Sequence, residues 1–545
     1  MVVPRLPIPK RLNAGPATLA GVELHAAGTQ WAIATPHTVA TEAGAVAFER
    51  GGNAVDAALV AAVTLAVSYP HNCGVGGDLF ALVQRPDGAA IAINASGRAP
   101  AGVDPDALRA RYGTTMPEEG PDSITVPGAV AGWATLHDEG ARLPWSEAFG
   151  PAIALSYGGV AVSRSLSRAF QERRELLAAD PGMVDVFFKD GAPLPRGALF
   201  RQPALGATLQ RLATEGPDAL YGGAIGERYV AGLRGAGASL SLDDLAAQSA
   251  DVVAPLSGRY RDLDVRVVPP NSQGFALLEM LALTERLGIE PDPLGPDAGV
   301  LALAFAAANR DRDHHLADAD AMRVHPSTLL DDGHLAGLAD RIRDAVPSTA
   351  VPGHRHGTGD TIALVTADAD GWAVSLIQSL WDSFGSAILE PETGIVAHDR
   401  GGCFTLEPGH PNEIAPGKRP FHTLMPVLVH RDGRLAAVTG TMGGTSQPQI
   451  NAQNLIRAFD LGMGAGDSIA APRWTVWGEP GEGVVQAEGS VPTTTTARFE
   501  EAGFRLDPLD DADEAVGHAH VILPRSDGTL EVGSDPRADG GALAL

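Results

Sequence analysis

The sequence predicts an α+β protein with a helix-rich N-terminal part. Three observations carry that prediction. Helical periodicity predominates from about residue 144 to 350. Apolar, partly β-branched runs meet around turn residues in three places: Leu79–Gln84 with Ala89–Asn94, Thr361–Ala367 with Trp372–Ser379, and Pro426–Val429 with Leu435–Thr439. The 65 Gly and 41 Pro are spread along the chain, so they read as tight connections rather than as a disordered block.

Taken in order, residues 1–30 read as a Pro/Gly lead-in, and Trp31–Thr35 as a short strand ended by Pro36. Val39–Arg50 and Ala54–Tyr69 read as two helices around Gly51-Gly52-Asn53, a stop followed by a restart. Cys73-Gly-Val-Gly-Gly-Asp78 is a Gly-dense turn able to approach another group closely, with Asp78 as its brace. Ser123–Gly128 reads as strand and turn ahead of a helix at Ala129–Glu139. Helices follow at Trp145–Tyr157, Ser163–Ala179, Ala204–Glu215, Ser241–Gln248, Gly274–Leu287 and Ala298–Asp313, with a strand at Arg259–Val268. Residues 344–360, with Pro347, Pro352 and His354-Arg-His-Gly-Thr-Gly, read as an exposed linker where a cut would tear little buried backbone. Further on, Gly440-Thr-Met-Gly-Gly-Thr445 leads into a helix from about Gln449 to Asp460. Strand, Gly turn and helix in that order can aim the N–H groups of Gly443 and Gly444 into a cleft, where they would stabilise an oxyanion.

Composition removes several functions. With 44% hydrophobic and 19% charged residues the chain is that of a folded protein. A net charge of −26 without Lys/Arg clusters argues against nucleic acid or an anionic membrane as partner. Cys73 and Cys403 are the only cysteines, so no disulfide framework is expected; both read as small buried fillers. The start lacks an apolar h-region, so no signal peptide is expected, and the longest apolar run, Ala57–Tyr69, is too short to span a bilayer. The expected address is therefore cytoplasmic. His314-His315, His354/His356 and His518/His520 lack zinc-site spacing, and no G-x-S-x-G, G-x-G-x-x-G or Walker pattern occurs, so neither a metal nor another cofactor is expected.

The hairpin at 361–379 holds the most specific chemistry. With Asp368-Ala-Asp-Gly371 as its turn, Thr361 would lie opposite Gln378 and one step from Ser379, bringing a second hydroxyl near the Thr that opens the strand. That layout suits an N-terminal nucleophile. The Thr hydroxyl attacks the carbonyl before it, the resulting ester is hydrolysed, and the freed α-amine becomes the base for the same hydroxyl. Such an amine titrates near ~7.7–8.0 and accepts a proton at neutral pH. A Thr starting a buried strand also has a purely structural reading.

The ordered motifs Gly51-Gly-Asn-Ala-Val-Asp56, Gly76-Gly-Asp78, Val126-Pro-Gly128, Pro269-Pro270, Gly359-Asp-Thr361, Gly417-Lys-Arg-Pro420, Gly443-Gly444, Ala471-Pro-Arg473 and Ser534-Asp-Pro-Arg537 run through nearly the whole chain. In them it resembles the γ-glutamyltransferase family of N-terminal-nucleophile hydrolases. The resemblance implies a four-layer αββα sandwich and a precursor cut between Asp360 and Thr361. It implies a large piece, 1–360, and a small piece, 361–545, that stay associated. Thr361 would be the nucleophile, Ser379 the second hydroxyl, Gly443 and Gly444 the oxyanion pair, and Thr423 a substrate contact.

The departures from the family pattern concern the pocket. Ser96 stands where an Arg usually holds the substrate α-carboxylate, with Arg98 two places on. Cys403 stands where an Asp usually pairs with the α-amino group, His422 replaces a hydroxyl residue, Trp381 an Asn, and Arg400 a Gln. Replacing Asp by Cys removes the charge partner of an ammonium. Trp381 reads equally as core or pocket wall, and Arg98 or Arg400 is available to hold a carboxylate. The reading is thus an amidohydrolase or acyltransferase with a small-molecule amide substrate and a pocket that is acylase- or oxamate-amidohydrolase-like. Alternatives are a true γ-glutamyl enzyme acting on glutathione-like donors, and an uncleaved, inactive ligand-binding scaffold. A homo-oligomer is compatible with all three.

Overall fold

Residues 22–344 and 360–545 are described by the computed structural model. Two seven-stranded sheets organise them. In chain order the strands are β1 (His25–Gly28), β2 (Trp31–Thr35), β3 (Asp78–Gln84), β4 (Ala90–Ala95), β5 (Asp251–Val253), β6 (Leu256–Tyr260) and β7 (Leu263–Val267). They continue with β8 (Asp360–Asp368), β9 (Ala373–Trp381), β10 (Val427–Arg431), β11 (Arg434–Thr441), β12 (Ala519–Pro524), β13 (Leu530–Ser534) and β14 (Gly541–Ala544). One sheet runs β14-β2-β8-β9-β3-β4-β5 and the other β1-β13-β12-β11-β10-β7-β6.

Period-2 alternation decides what each face of β8 buries. Ala363, Val365 and Ala367 join Phe80, Leu82 and Ile377 in a core shared with Leu428, Val438, Ile522 and Val532 of the other sheet. Ile362 and Leu364 face the opposite way, into a core built on α1 (Thr38–Glu49), α2 (Ala54–Ser68) and α3 (Ala129–Gly140). Every residue of α2 is buried, so its apolar run has no polar stripe, and Asn53 starts it by accepting from Val55 and Asp56 N–H groups. The second sheet is backed by α4 (Gly274–Leu287), α5 (Ala298–His315) and α7 (Gln447–Phe459), with α6 (Asp332–Arg343) packed on α4.

Several expectations are corrected. The β8–β9 hairpin pairs Thr361 with Ser379 and Ile362 with Gln378, one step from the predicted register, because Trp372 joins the turn. The predicted strand Arg259–Val268 is the hairpin β6–β7, reversing at Arg261 with φ +55°. Ser123–Gly128 forms no strand: Pro127 lacks an N–H, and Val126 packs so tightly on Gly97 that a Cβ there would lie 1.6 Å from the Val126 carbonyl oxygen. The lead-in contains strand β1. The predicted linker, including His354 and His356, lies outside the described residues except at its ends, 344 and 360, where Asp360 opens β8. No helix among the described residues is long and apolar enough to cross a membrane.

Candidate active site

Register brings Thr361, Ser379 and Asp78 side by side: Thr361 pairs with Ser379 across β8–β9, and Ser379 with Asp78 across β9–β3. Directly opposed residues share a sheet face, so their side chains line up at one end of the layer between the sheets. All three are fully buried. The Thr361 hydroxyl donates to Ser379 Oγ at 3.0 Å, and the Ser379 hydroxyl donates to the Asp360 carbonyl oxygen at 2.9 Å. Asn72 Nδ2 holds the Thr361 carbonyl at 3.1 Å, and the Trp381 N–H donates to Ser379 Oγ at 2.8 Å. Ser379 therefore touches both the Thr hydroxyl and the carbonyl of the 360–361 peptide bond.

The strand carrying Ser379 approaches the Gly-dense turn closely. A Cβ on Gly77 would sit 2.3 Å from the Ser379 carbonyl oxygen, so this position requires glycine. The turn ends at Asp78, whose Oδ1 accepts from the Gly97 N–H at 2.9 Å and whose Oδ2 accepts from His422 Nε2 at 3.0 Å. His398 Nδ1 lies 3.6 Å and Arg400 Nε 3.9 Å from the same oxygen. Burial works to raise the Asp78 carboxyl, but the groups around it, His398, His422 and Arg400, hold it below the usual range. Burial and the Arg400 charge push His422 down to about 3, and burial lowers His398. The cluster therefore gathers His398, His422 and Arg400 around one oxygen of an ionised Asp78.

Arg400 is fully buried. Its guanidinium stacks over the Trp381 ring at 4.5 Å, and its Nη1 reaches Thr423 Oγ1 at 3.3 Å and Cys403 Sγ at 3.6 Å. Nε and Nη2 have no hydrogen-bond partner. Trp381 adopts φ +84°, a region costly for a bulky side chain, and it is the residue that both covers Arg400 and contacts Ser379. Burial pushes the Cys403 thiol up to about 12, so it is a neutral neighbour and cannot replace a carboxylate.

The Gly443-Gly444 turn is tied to the same region. Gly443 takes φ +133° and Gly444 φ +52°. Gln273 Nε2 donates to the Gly444 carbonyl at 2.9 Å and to the Thr423 carbonyl at 2.8 Å, and Arg312 Nη1 holds the Thr445 carbonyl at 2.6 Å. Two predicted pocket residues are engaged elsewhere. Ser96 bonds to Asn94 and Asn271, and the exposed Arg98 bonds to the Gly417 carbonyl with Asp318 at 3.8 Å. Sequence reasoning does not single out Asn72, Asp78 as an ion partner, His398, Gln273 or Arg312 as site residues; of these only Asp78 lies in one of its motifs, because hydrogen bonds between residues more than 100 apart leave no local pattern.

Beside Asp360 lies a cavity of about 120 Å³ lined by His71, Ser165, Arg173, Ser383, Met442 and Glu514 among others. Burial, with Asp382 nearby, pushes the Asp360 carboxyl up to about 6; Asp382 is likewise pushed up to about 6, and Asp399 well above its usual range.

The family model described as Gamma-glutamyltranspeptidase matches residues 40–545. The chain is 36% identical to a glutathione hydrolase-like YwrD proenzyme of Bacillus subtilis, over 95% of this chain and 99% of that protein. It is 36% identical to an oxamate amidohydrolase proenzyme of Klebsiella pneumoniae, over 93% and 97%. A solved structure of cephalosporin acylase from Bacillus halodurans superposes with a TM-score of 0.89 at 29% identity, covering 97% of this chain and 99% of that one. With a family match over residues 40–545 and relatives at 36% identity named as hydrolases, the chain belongs to the γ-glutamyltranspeptidase family and is an amidohydrolase or acyltransferase of that family.

Proposed function

We propose that the chain is a self-processing Ntn amidohydrolase of four-layer αββα architecture, with Thr361 as nucleophile and an acyl pocket built around the Arg400 cation. The observation that carries the reading is the relay Thr361 Oγ1–Ser379 Oγ–Asp360 O. In the precursor, Thr361 Oγ1 bonds to the Asp360 carbonyl carbon while its proton passes to Ser379, whose own proton supports the carbonyl oxygen. The C–N bond breaks, its nitrogen takes a proton, and water hydrolyses the ester to free the Thr361 amine. Cleavage yields 1–360 and 361–545. In turnover the amine is the base, the substrate amide acylates Thr361, and water or an amine accepts the acyl group. The Gly443 and Gly444 N–H groups supply the oxyanion donors, and Thr423 lines the acyl pocket.

The pocket favours an anionic acyl group without an ammonium. Arg400 offers two donor nitrogens, Nε and Nη2, without hydrogen-bond partners in a buried site, while Cys403 provides no charge for an amine. A compact acyl group bearing a carboxylate fits, as the name of the oxamate amidohydrolase relative also suggests. A second reading, γ-glutamyl donors such as glutathione, is favoured by the name of the Bacillus subtilis relative.

Intact mass spectrometry of purified protein is expected to give two pieces meeting at 360/361, and Thr361→Ala a single chain. Splitting of that variant at the same bond would refute the nucleophile. Oxamate and other carboxylate-bearing amides assayed beside glutathione separate the two substrates: faster release of glutamate overturns the anionic-acyl reading and leaves the nucleophile intact.

A further inference from the structure

Away from Thr361, three helices converge on one buried group of ligating side chains. Glu279 projects from α4, Asp311 from α5 and His334 from α6, and one ligand atom from each lies within 4.8 Å of the others. His334 Nε2 is 2.5 Å from Asp311 Oδ2 and 3.7 Å from Glu279 Oε1. Among the described residues this is the only such trio of His, Cys and carboxylate groups. Glu279 is fully buried, and neither of its carboxylate oxygens has a hydrogen-bond partner. A buried carboxylate left that way is costly unless a proton or a cation neutralises it. Asp311 is nearly as buried, whereas the His334 side chain keeps 28% of its surface in solvent and so leaves a way in.

We propose that Glu279, Asp311 and His334 form a binding site for a divalent transition metal ion of the zinc class, clamping α4, α5 and α6 together. One imidazole and two carboxylates are a donor set of that class. Ligands 2.0–2.2 Å from a tetrahedral zinc stand roughly 3.3–3.6 Å apart, so shifts of about an ångström bring these atoms into range. Binding displaces the proton shared by His334 Nε2 and Asp311 and leaves His334 protonated on Nδ1. Arg310 Nε, 3.6 Å from the other Asp311 oxygen, balances part of the remaining negative charge.

The clamp has a structural consequence. Gln273, just before α4, and Arg312, next to Asp311 on α5, hold the carbonyls of Thr423, Gly444 and Thr445. A metal joining α4 to α5 braces the two helices that carry those contacts.

The test uses the untagged full-length protein, stripped with a chelator and then loaded with zinc chloride, followed by gel filtration and elemental analysis. Wild type is expected to retain close to one zinc per chain and to melt at a higher temperature with zinc than without. His334→Ala, at the partly exposed position, is expected to fold, lose that zinc and lose the zinc-dependent shift. Asp311→Asn is expected to weaken retention as well. Equal zinc in wild type and His334→Ala, or none in either, would overturn the site. So would a Glu279→Gln variant that raises the metal-free melting temperature while wild type gains nothing from zinc, which would identify a protonated Glu279 instead.

Discussion

In the proposed reaction Ser379 is the residue on which the steps converge, because its one hydroxyl accepts from Thr361 and donates to the 360–361 carbonyl. Ser379→Ala is expected to slow self-cleavage by about 10²-fold, the scale of a lost proton-transfer partner, read from the precursor fraction over time. Ser379→Thr should restore most of the rate. Arg400 is the second residue on which the proposed reading depends. Arg400→Lys keeps the charge beside Asp78 but loses the flat face against Trp381 and the Nε and Nη2 donors that have no hydrogen-bond partner. It is expected to raise KM for a carboxylate-bearing amide by at least tenfold while leaving self-cleavage intact. Equal loss of cleavage would place Arg400 in the processing machinery instead. Asp360 and Asp382 give a pH prediction. Both are pushed up to about 6, above the ordinary carboxylic value, so the folded chain holds extra protons between about pH 4 and 6. Their contribution is therefore most favourable at low pH and is lost as pH rises through about 6. Urea melts of the Thr361→Ala chain should show less stability at about pH 8 than at about pH 5, and Asp360→Asn should shrink the difference.

At the scale of elements, the hairpin β8–β9 and the Gly turn ahead of β3 are fitted to one another. Gly77→Ala would drive a methyl into the Ser379 carbonyl oxygen at 2.3 Å. Overpacking of this kind typically costs about 1–3 kcal/mol. The expected result is a lower urea midpoint together with slower cleavage, because relief of the clash moves Ser379. A change in stability alone would mean that the turn yields instead of the strand. The hairpin itself was legible from its alternating apolar residues and its Asp/Gly turn, but its register was not. Whether Trp372 belongs to the strand or the turn depends on what the ring packs against, and it packs against Gly140 of α3, more than 230 residues earlier.

For the whole molecule, the first sheet interleaves strands from both sides of the 360–361 bond: β14, β9 and all of β8 after Asp360 come from 361–545, and β2, β3, β4 and β5 from before it. Cutting before Thr361 would free a terminus without freeing a piece, since β8–β9 remains hydrogen-bonded between β2 and β3. The C-terminal motifs are tied in by a buried ion network. Arg473 meets Asp535 at 2.7 Å, and Arg537 meets Asp535 at 3.1 Å and Glu488 at 2.5 Å. Asp535→Ala leaves two buried guanidinium groups short of a partner and is expected to cost about 3–5 kcal/mol, measured by denaturant unfolding. Burial opposes ionisation of Asp535, yet the two Arg residues hold its carboxyl well below the usual range. Its contribution is therefore present at neutral pH and fails only in strong acid.

The sequence by itself determined the mixed α+β class, the identity of the Thr-led hairpin and the family, because periodicity, turn chemistry and ordered motifs are local properties of the chain. Tertiary structure alone decided the register that sets Thr361 against Ser379 and the pairing of Asp78 with His422, His398 and Arg400. It also decided the diversion of Ser96 and Arg98 to other partners and the meeting of Glu279, Asp311 and His334. Each joins residues distant in the chain, or turns on which way a side chain faces, and burial then sets the cost of any charge left without a partner.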